Sequence, residues 1–232
     1  FAKLLETSQQ HIHVESTHDS LKVKFLNDIL GENILVEKEL SYYMTGSADE
    51  ASMAMFDENG KHEVKDFSEI EKNKVVELTW PSVFLQENRL SISTTVGKNK
   101  EAANLAQLAD GFVYVMDVTT ELTDRELAAI QQWQEYMQEQ PTHFVLLTED
   151  ALNSRNVEEV TSMLKEQFHA TSIHKIVKSR MQEDFLTFLN RTLNTSESLL
   201  EERRSLKLLH AIRSVYNEVL NNRAAMENKL SN

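Results

Sequence analysis

The stretch STHDSLKVKFLNDILGENIL, residues 16 to 35, carries a lysine at the start of a run with helical spacing. That is the layout of a nucleotide-binding helix, where an ammonium and the N-terminal N–H groups meet a phosphate. The phosphate-cradling glycines are missing from it, and the chain holds only five glycines and two prolines in 232 residues. Scarce glycine counts against a working phosphate loop, which needs it wherever backbone approaches a phosphate closely or takes positive φ. His11, His13 and His18 lie close together, and His11 and His13 share one face of a short alternating segment. With no cysteine in the chain and no tight carboxylate cluster to complete a metal site, they read as strand and loop residues. Ser93, Thr94 and Thr95 offer hydroxyls, but no G-x-S-x-G elbow raises one as a nucleophile, so no catalysis is assigned to them. Asp117 ends an apolar run, where open α/β sheets place their sites and where an aspartate also caps a loop.

The elements that must position these residues alternate in type. HIHV (11–14) and SIHKIV (172–177) are short strand segments, and ASMAMFDENGKHEVKDF reads as two strands around Asn59-Gly60, a hairpin signal. KVVELTW (74–80) and RLSIST (89–94) follow. GFVYVMDV (111–118) and HFVLLTE (143–149) are apolar on both faces, as central strands of a parallel sheet covered by helices must be. SLKVKFLNDILGEN places Leu21, Phe25, Leu26, Ile29 and Leu30 on one helical stripe, with Gly31 as its C-cap. TDRELAAIQQWQEYMQEQ opens on a capping box, Thr123 with Glu126, and NVEEVTSMLKEQF and MQEDFLTFLNRTL are further amphipathic helices. The order strand, helix, strand, helix gives a doubly wound α/β fold. FAKLLETSQQ (1–10) reads as the tail of a helix. From Ser196 onward the pattern is one long helix with Leu209, Ile212, Tyr216, Val219, Arg223, Met226 and Leu230 on a heptad seam. The division expected is residues 1–10 as an N-terminal helix, 11–195 as the α/β domain, and 196–232 as a helical neck or stalk packed in an intramolecular bundle, with a self-associating coiled coil as the alternative.

Composition narrows the partners. A net charge of −13 argues against a nucleic-acid channel or a broad surface for anionic lipid; the densest basic run, RSLKLLHAIR (204–213), reads as a solvated helix face. No apolar run is long enough to cross a bilayer. The chain opens at Phe1 without an initiator methionine and reads as an excerpt of a longer protein.

In order and spacing these segments resemble the GTPase domain of the dynamin superfamily, bacterial dynamin-like proteins in particular. KFLNDILGENIL is similar to the helix after the family's phosphate loop, ADGFVYVMDVTTELTDRELAAI (109–130) to its buried strand, aspartate and following helix, and VELTWPSVFLQENRLSISTTVG to the strands that lead into its second switch. IHKIVKSR stands where the family has the strand near the guanine base. The resemblance covers roughly residues 10 to 195. It implies a three-layer P-loop GTPase-like α/β domain with a mostly parallel central sheet, plus the helical neck.

It also implies a set of site positions, and these are where the sequence departs. Against GxxxxGKS/T, Ser16 and Leu21 stand at the two glycines, Lys22 at the lysine, and Val23 where a hydroxyl should hold magnesium. LSYYM (40–44) occupies the place of the first switch, with Tyr42 and Tyr43 at the threonine positions. TTVG (94–97) keeps Gly97 of D-x-x-G but has Thr94 for the aspartate. TEDA (148–151) keeps Thr148 of the guanine-reading N/T-K-x-D but has Glu149 and Ala151 for the lysine and aspartate; a one-residue slip brings Asp150 into play. Four motifs lost together while the strands and helices persist point to a pseudo-GTPase. The expectation is a structural and dimerisation module of a membrane-remodelling, fusion or tethering protein, needing no cofactor. Its partner would be another dynamin-like GTPase domain in the same or a neighbouring chain. It would be cytoplasmic, at the inner face of a membrane contacted by parts outside this chain. Two alternatives stand beside it. One is an active GTPase with divergent motifs that binds GTP, GDP and magnesium through Lys22, Thr94 or Thr95, Gly97 and Asp150; the other is an α/β adaptor with a coiled-coil tail.

Overall fold

The computed structural model describes residues 9–47, 50–57, 60–97, 101–119, 122–137, 142–149, 154–170, 172–192 and scattered helical positions between 201 and 220. The chain divides into two compact units, Thr7–Asn194 and a second formed by Phe1–Glu6 with Thr195–Asn232. The larger unit is built on one nine-stranded sheet: β1 (Gln10–Glu15), β2 (Ser41–Gly46), β3 (Ser52–Asp57), β4 (Gly60–Val64), β5 (Val75–Trp80), β6 (Leu90–Thr95), β7 (Gly111–Asp117), β8 (Thr142–Thr148) and β9 (Ser172–Val177). Their spatial order is β4-β3-β5-β2-β6-β1-β7-β8-β9.

From β6 to β9 every neighbouring pair is parallel, so the C-terminal ends of β6, β1, β7, β8 and β9 share one edge. Such an edge is where open α/β sheets place their sites. Strand β2 enters antiparallel to β6, with Ser41 opposite Thr95, and carries the β5-β3-β4 extension. The hairpin expected around Asn59-Gly60 forms between β3 and β4, and Gly60 takes the positive φ that such a turn demands.

Helices cover both faces. On one, α1 (Asp19–Leu30), α2 (Val83–Glu87) and α6 (Met181–Thr192) close over Ile12, Val14, Tyr42, Ile92, Val113 and Val145. On the other, α3 (Glu101–Leu108), α4 (Asp124–Tyr136) and α5 (Ser154–Phe168) close over Phe112, Tyr114, Met116, Phe144 and Leu146. The alternation of these two sets along β7 and β8 is why both strands are apolar throughout. Helix α4 opens on the expected capping box, Thr123 N–H donating to Glu126 Oε2 at 2.8 Å. Helix α1 ends at Gly31, whose left-handed φ of +79° lets its N–H reach Asn27 O at 2.9 Å.

Four elements differ from expectation. SYYMTG, placed at the first switch and not read as a strand, is strand β2; its aromatic and β-branched residues suit a half-buried pleat. The short helix α2 and helix α3 were not expected, and Gln10 opens β1 rather than closing a helix. In the smaller unit the described positions are helical, and Leu208, Leu209, Ile212, Tyr216, Val219 and Leu220 among them are exposed. Arg223, Met226 and Leu230 of the heptad seam, and the N-terminal segment 1–8, lie outside the described residues.

Candidate functional site

Only Ser16, Thr17 and His18 separate the end of β1 from the start of α1. A phosphate loop keeps its whole GxxxxGKS/T arc between strand and helix, so that successive N–H groups face the ligand. Here Asp19 to Val23 are already helix. With no glycine to hold an arc open, the run with helical periodicity winds back toward the strand, and Asp19 in the first turn favours the positive end of the helix. The apolar stripe starts at Leu21 and the family-like helix segment at Lys24; the helix itself begins earlier, at Asp19. Leu21 packs against the core, Val23 is buried in it, and Ser16 is buried at the strand end.

Lys22 is therefore carried inward. It is 3% exposed, and its Nζ lies 2.8 Å from Glu15 Oε2 and 3.0 Å from Asp19 Oδ1 while also donating to the carbonyl oxygen of Thr95. Three donors on an ammonium meet three oxygens. Glu15, also 3% exposed, continues the network: its Oε1 lies 3.1 Å from His13 Nε2, His13 Nδ1 lies 2.8 Å from Ser93 Oγ, and Ser93 Oγ lies 2.7 Å from His11 Nε2. One neutral arrangement satisfies the contacts: His11 Nε2–H donates to Ser93, Ser93 O–H to His13 Nδ1, and His13 Nε2–H to Glu15. Ser93, His13 and Glu15 follow one another like a nucleophile, base and acid, but Ser93 and His13 are fully buried and His13 lies beside the rings of Phe112 and Trp133. Neither side chain is open to solvent.

Burial by itself pushes the Glu15 carboxyl up, but Lys22 and His13 outweigh it and hold the group below the usual carboxylate range. Burial by itself pushes the Lys22 ammonium down, and Glu15 and Asp19 outweigh that, holding it above the usual lysine value. Both groups are charged, and each is the other's main partner.

Beside this cluster Gly97 follows β6 with φ +79°, and its N–H donates to Asp19 Oδ2 at 3.0 Å. Thr94, at the position of the second-switch aspartate, is fully buried within β6, and its hydroxyl finds no partner among the described residues. The structure thus brings Lys22 and Gly97 together through Asp19, and keeps Thr94 inside the sheet. Tyr43 is not brought to the edge. It lies within β2 opposite Ser93, its ring 5.3 Å from His11, and Tyr42 points to the opposite face into the core. The first switch had been assigned to LSYYM; the loop that precedes β2 is instead 31–40.

At the far end of the same edge, Lys178 follows β9. Its Nζ lies 2.9 Å from Asp117 Oδ2 at the end of β7 and 2.7 Å from Glu149 Oε1 just past β8. Asp117 Oδ1 accepts the N–H and hydroxyl of Thr119, so this aspartate both caps its loop and binds a cation. Thr148 is buried at the end of β8, and Asp150 and Ala151 lie outside the described residues. Two surface grooves of about 400 and 490 Å³ lie elsewhere, one lined by residues of β9 and α6 including His174 and Arg191, the other by residues of α4 and α5 including Gln134 and Phe168.

A magnesium-bound nucleotide needs N–H groups in an arc, a free ammonium and a hydroxyl on the metal. These residues do not fit it: the arc is wound into helix, the ammonium is spent on Glu15, Asp19 and Thr95, and Val23 sits in the core. Among the described residues no cluster of three or more histidine or carboxylate groups is arranged to hold a metal ion. Sequence reasoning missed Glu15, Asp19 and Lys178. Asp19 and Lys22 at i, i+3 on one helix face were a legible pair; Glu15, two residues beyond His13 on the strand, was the signal for a buried acid.

A three-layer sheet running β2-β6-β1-β7-β8-β9, with a lysine at its first strand-to-helix junction, defines the P-loop GTPase-like α/β class. Within that class the fold is shared with bacterial dynamins. Two structures of an oligomerised bacterial dynamin pair, described as a mechanism for long-range sensing and tethering of membranes, match at TM-scores of 0.62 and 0.60 with 16% identity. Each match takes in 94% of this chain and 41% of the other, so the chain spans about two fifths of the length of these relatives. No protein-family model and no curated protein matches the sequence.

Proposed function

We propose that this chain is a dynamin-fold domain that neither binds nor hydrolyses GTP and serves as a structural and pairing module of a larger membrane-tethering or membrane-remodelling protein. The observation that carries the reading is Lys22: buried, ion-paired to Glu15 at 2.8 Å, and set inside a helix rather than at the mouth of a loop. Phosphoryl transfer depends on positioning and electrostatic stabilisation, so a domain without phosphate cradle, free lysine or magnesium ligand has little left to lower the barrier. GTP, GDP and magnesium are accordingly not cofactors of this domain.

The pairing half of the proposal rests on the likeness to a dynamin pair that oligomerises. Its partner is a second dynamin-like GTPase domain, in the same polypeptide or a neighbouring one, and its place is the cytoplasm at the inner face of a membrane. Among the described residues no helix is long and apolar enough to cross a membrane, and membrane contact is assigned to parts outside this chain. Residues 11–195 are the GTPase-fold domain in this reading and 196–232 its neck. Calorimetric titration with GTP or GDP in the presence of magnesium should give no heat of binding. A micromolar affinity would sink the reading.

A further inference from the structure

Asp19 opens α1 with its two carboxylate oxygens on two different partners. Oδ1 lies 3.0 Å from Lys22 Nζ, and Oδ2 accepts the N–H of Gly97 at 3.0 Å. Lys22 is fixed in turn by Glu15 and by the Thr95 carbonyl two residues before Gly97. One carboxylate therefore closes a ring from the helix start, through the ammonium, to Val96 and Gly97, the described segment that leaves β6. An ammonium and a backbone N–H converging on a single anion, at a helix N-terminus, is the way a phosphoryl group is held. Here the anion is part of the chain.

We infer that Asp19 is the internal ligand of an oxyanion site, standing where a phosphate group would sit, and that it fixes the segment after β6 in one conformation without nucleotide. The inference rests on the reading of this domain as nucleotide-free. In switch proteins a terminal phosphate orders such segments and its hydrolysis releases them. A tethered carboxylate neither leaves nor is hydrolysed, so the segment is held permanently. The hold extends to the loop before β2. Val96 N–H donates to Leu40 O at 2.8 Å, and Gly97 is packed so closely on Glu39 that an added Cβ would stand 2.7 Å from Glu39 Cγ. Loop 31–40 and the segment after β6 are thus fixed together through Gly97 and Asp19. The charges explain why a free anion does not displace Asp19: two carboxylates already face one ammonium, and a phosphate added to them meets net repulsion.

The test is amide exchange at Gly97, read by NMR in the full chain. The Asp19 side chain is 40% exposed, so Asp19→Ala removes the carboxylate without opening a buried void. Exchange at Gly97 should rise by about tenfold or more while the amides of β1, β7 and β8 stay protected. Millimolar inorganic phosphate should restore most of that protection in Asp19→Ala and change nothing in the parent chain. Exchange that stays at the parent level in Asp19→Ala overturns the inference. So does a loss that phosphate leaves untouched, which would make Asp19 an ordinary helix cap. Should Asp19→Ala fail to fold, Asp19→Gly, which also removes the carboxylate and leaves its place open, carries the same two readings. Nucleotide binding by the parent chain is a separate outcome: it would remove the proposed function, whereas unchanged Gly97 exchange removes only the internal ligand.

Discussion

Lys22 and Lys178 each stand between two carboxylates on the same sheet edge, one where the resemblance to a GTPase domain would put a phosphate and one where it would put the base. The contacts are alike in length: 2.8 and 3.0 Å to Glu15 and Asp19, 2.9 and 2.7 Å to Asp117 and Glu149. Their surroundings differ. The Lys22 and Glu15 side chains are 4% and 3% exposed, whereas Lys178 is 21% exposed and Glu149 65%. In water an ion pair gains little because solvent already satisfies both charges; in the interior each charge depends on its partner. The same three-residue chemistry is therefore a structural necessity at one end and a surface latch at the other. The Lys22–Glu15 pair is built into the core, while the Lys178 contacts lie in reach of solvent.

The largest effect that would break this comparison is expected at Lys22. Lys22→Met leaves Glu15 buried without its cation, a loss of about 3 to 5 kcal/mol of stability by the usual cost of breaking a buried pair from one side. Urea denaturation should show a lower midpoint with an unchanged slope. Adding Glu15→Gln to Lys22→Met removes the orphaned charge, and most of the loss should return. A double variant as unstable as the single one would mean that the pair is not the unit that matters.

The contrast between the two ends also marks where the sequence could be read and where it could not. Strands β7 and β8 were legible because their apolar runs have no polar face, and helix α4 because Thr123 and Glu126 spell its start. Strand β2 was hidden: SYYMTG was given a role by its place in a resemblance, and its β-forming aromatics were overlooked. Around Lys22 the absence of glycine and hydroxyl was plain, and Asp19 at i, i+3 was available. Capture of Lys22 by Glu15 and Thr95 was not, since it needs β1 and β6 paired in parallel with Gln10 opposite Leu90. The bond from Asp19 to Gly97 joins residues 78 apart. Lys178 was equally out of reach, because it follows β9 and its two partners come from the ends of β7 and β8, which only the sheet order brings together.

The buried Lys22–Glu15 pair must also be separated from an unrelated buried histidine when stability is followed with pH. His143, 5% exposed near the start of β8, shares Ser172 Oγ with His174, at 2.7 and 3.0 Å. Burial first, and His174 second, push its pKa down to about 4. The folded chain holds it neutral while the unfolded chain protonates it near 6.5. The unfolded state thus binds more protons between these values, and stability falls as pH drops from about 6.5 to about 4, by about 3 kcal/mol in all. His143→Gln should flatten that limb of a stability-against-pH curve; a limb that persists unchanged would assign it to another group.

Below that window the carboxylates of both trios come into play. Glu15 and Asp117 are each held below the usual range: burial opposes this at both, Lys22 and His13 overcome it at Glu15, and Thr119 and Lys178 overcome it at Asp117. A depressed folded pKa means stability that is present above the ordinary carboxylate value and lost as pH falls through the folded one. Glu15→Gln should remove more of this acid limb than Asp117→Asn, in acid denaturation followed by circular dichroism. Equal effects would erase the distinction between the ends.

The smallest effect is expected at Lys178, and it is the one that most directly tests the exposed half of the comparison. Glu149 and Asp117 hold the Lys178 ammonium above its usual value against the opposing effect of burial, yet the group stays in reach of solvent. Lys178→Met should cost no more than about 1 kcal/mol in urea at low salt. High salt screens exposed charges within a few ångströms, so the difference between parent and variant should shrink toward zero as salt is raised. For Lys22→Met the same titration should change little, because its charges are shielded from mobile ions by the core. A Lys178 effect that is as large as the Lys22 effect and as indifferent to salt would show that the base end is closed as firmly as the phosphate end, and that the two differ in position alone.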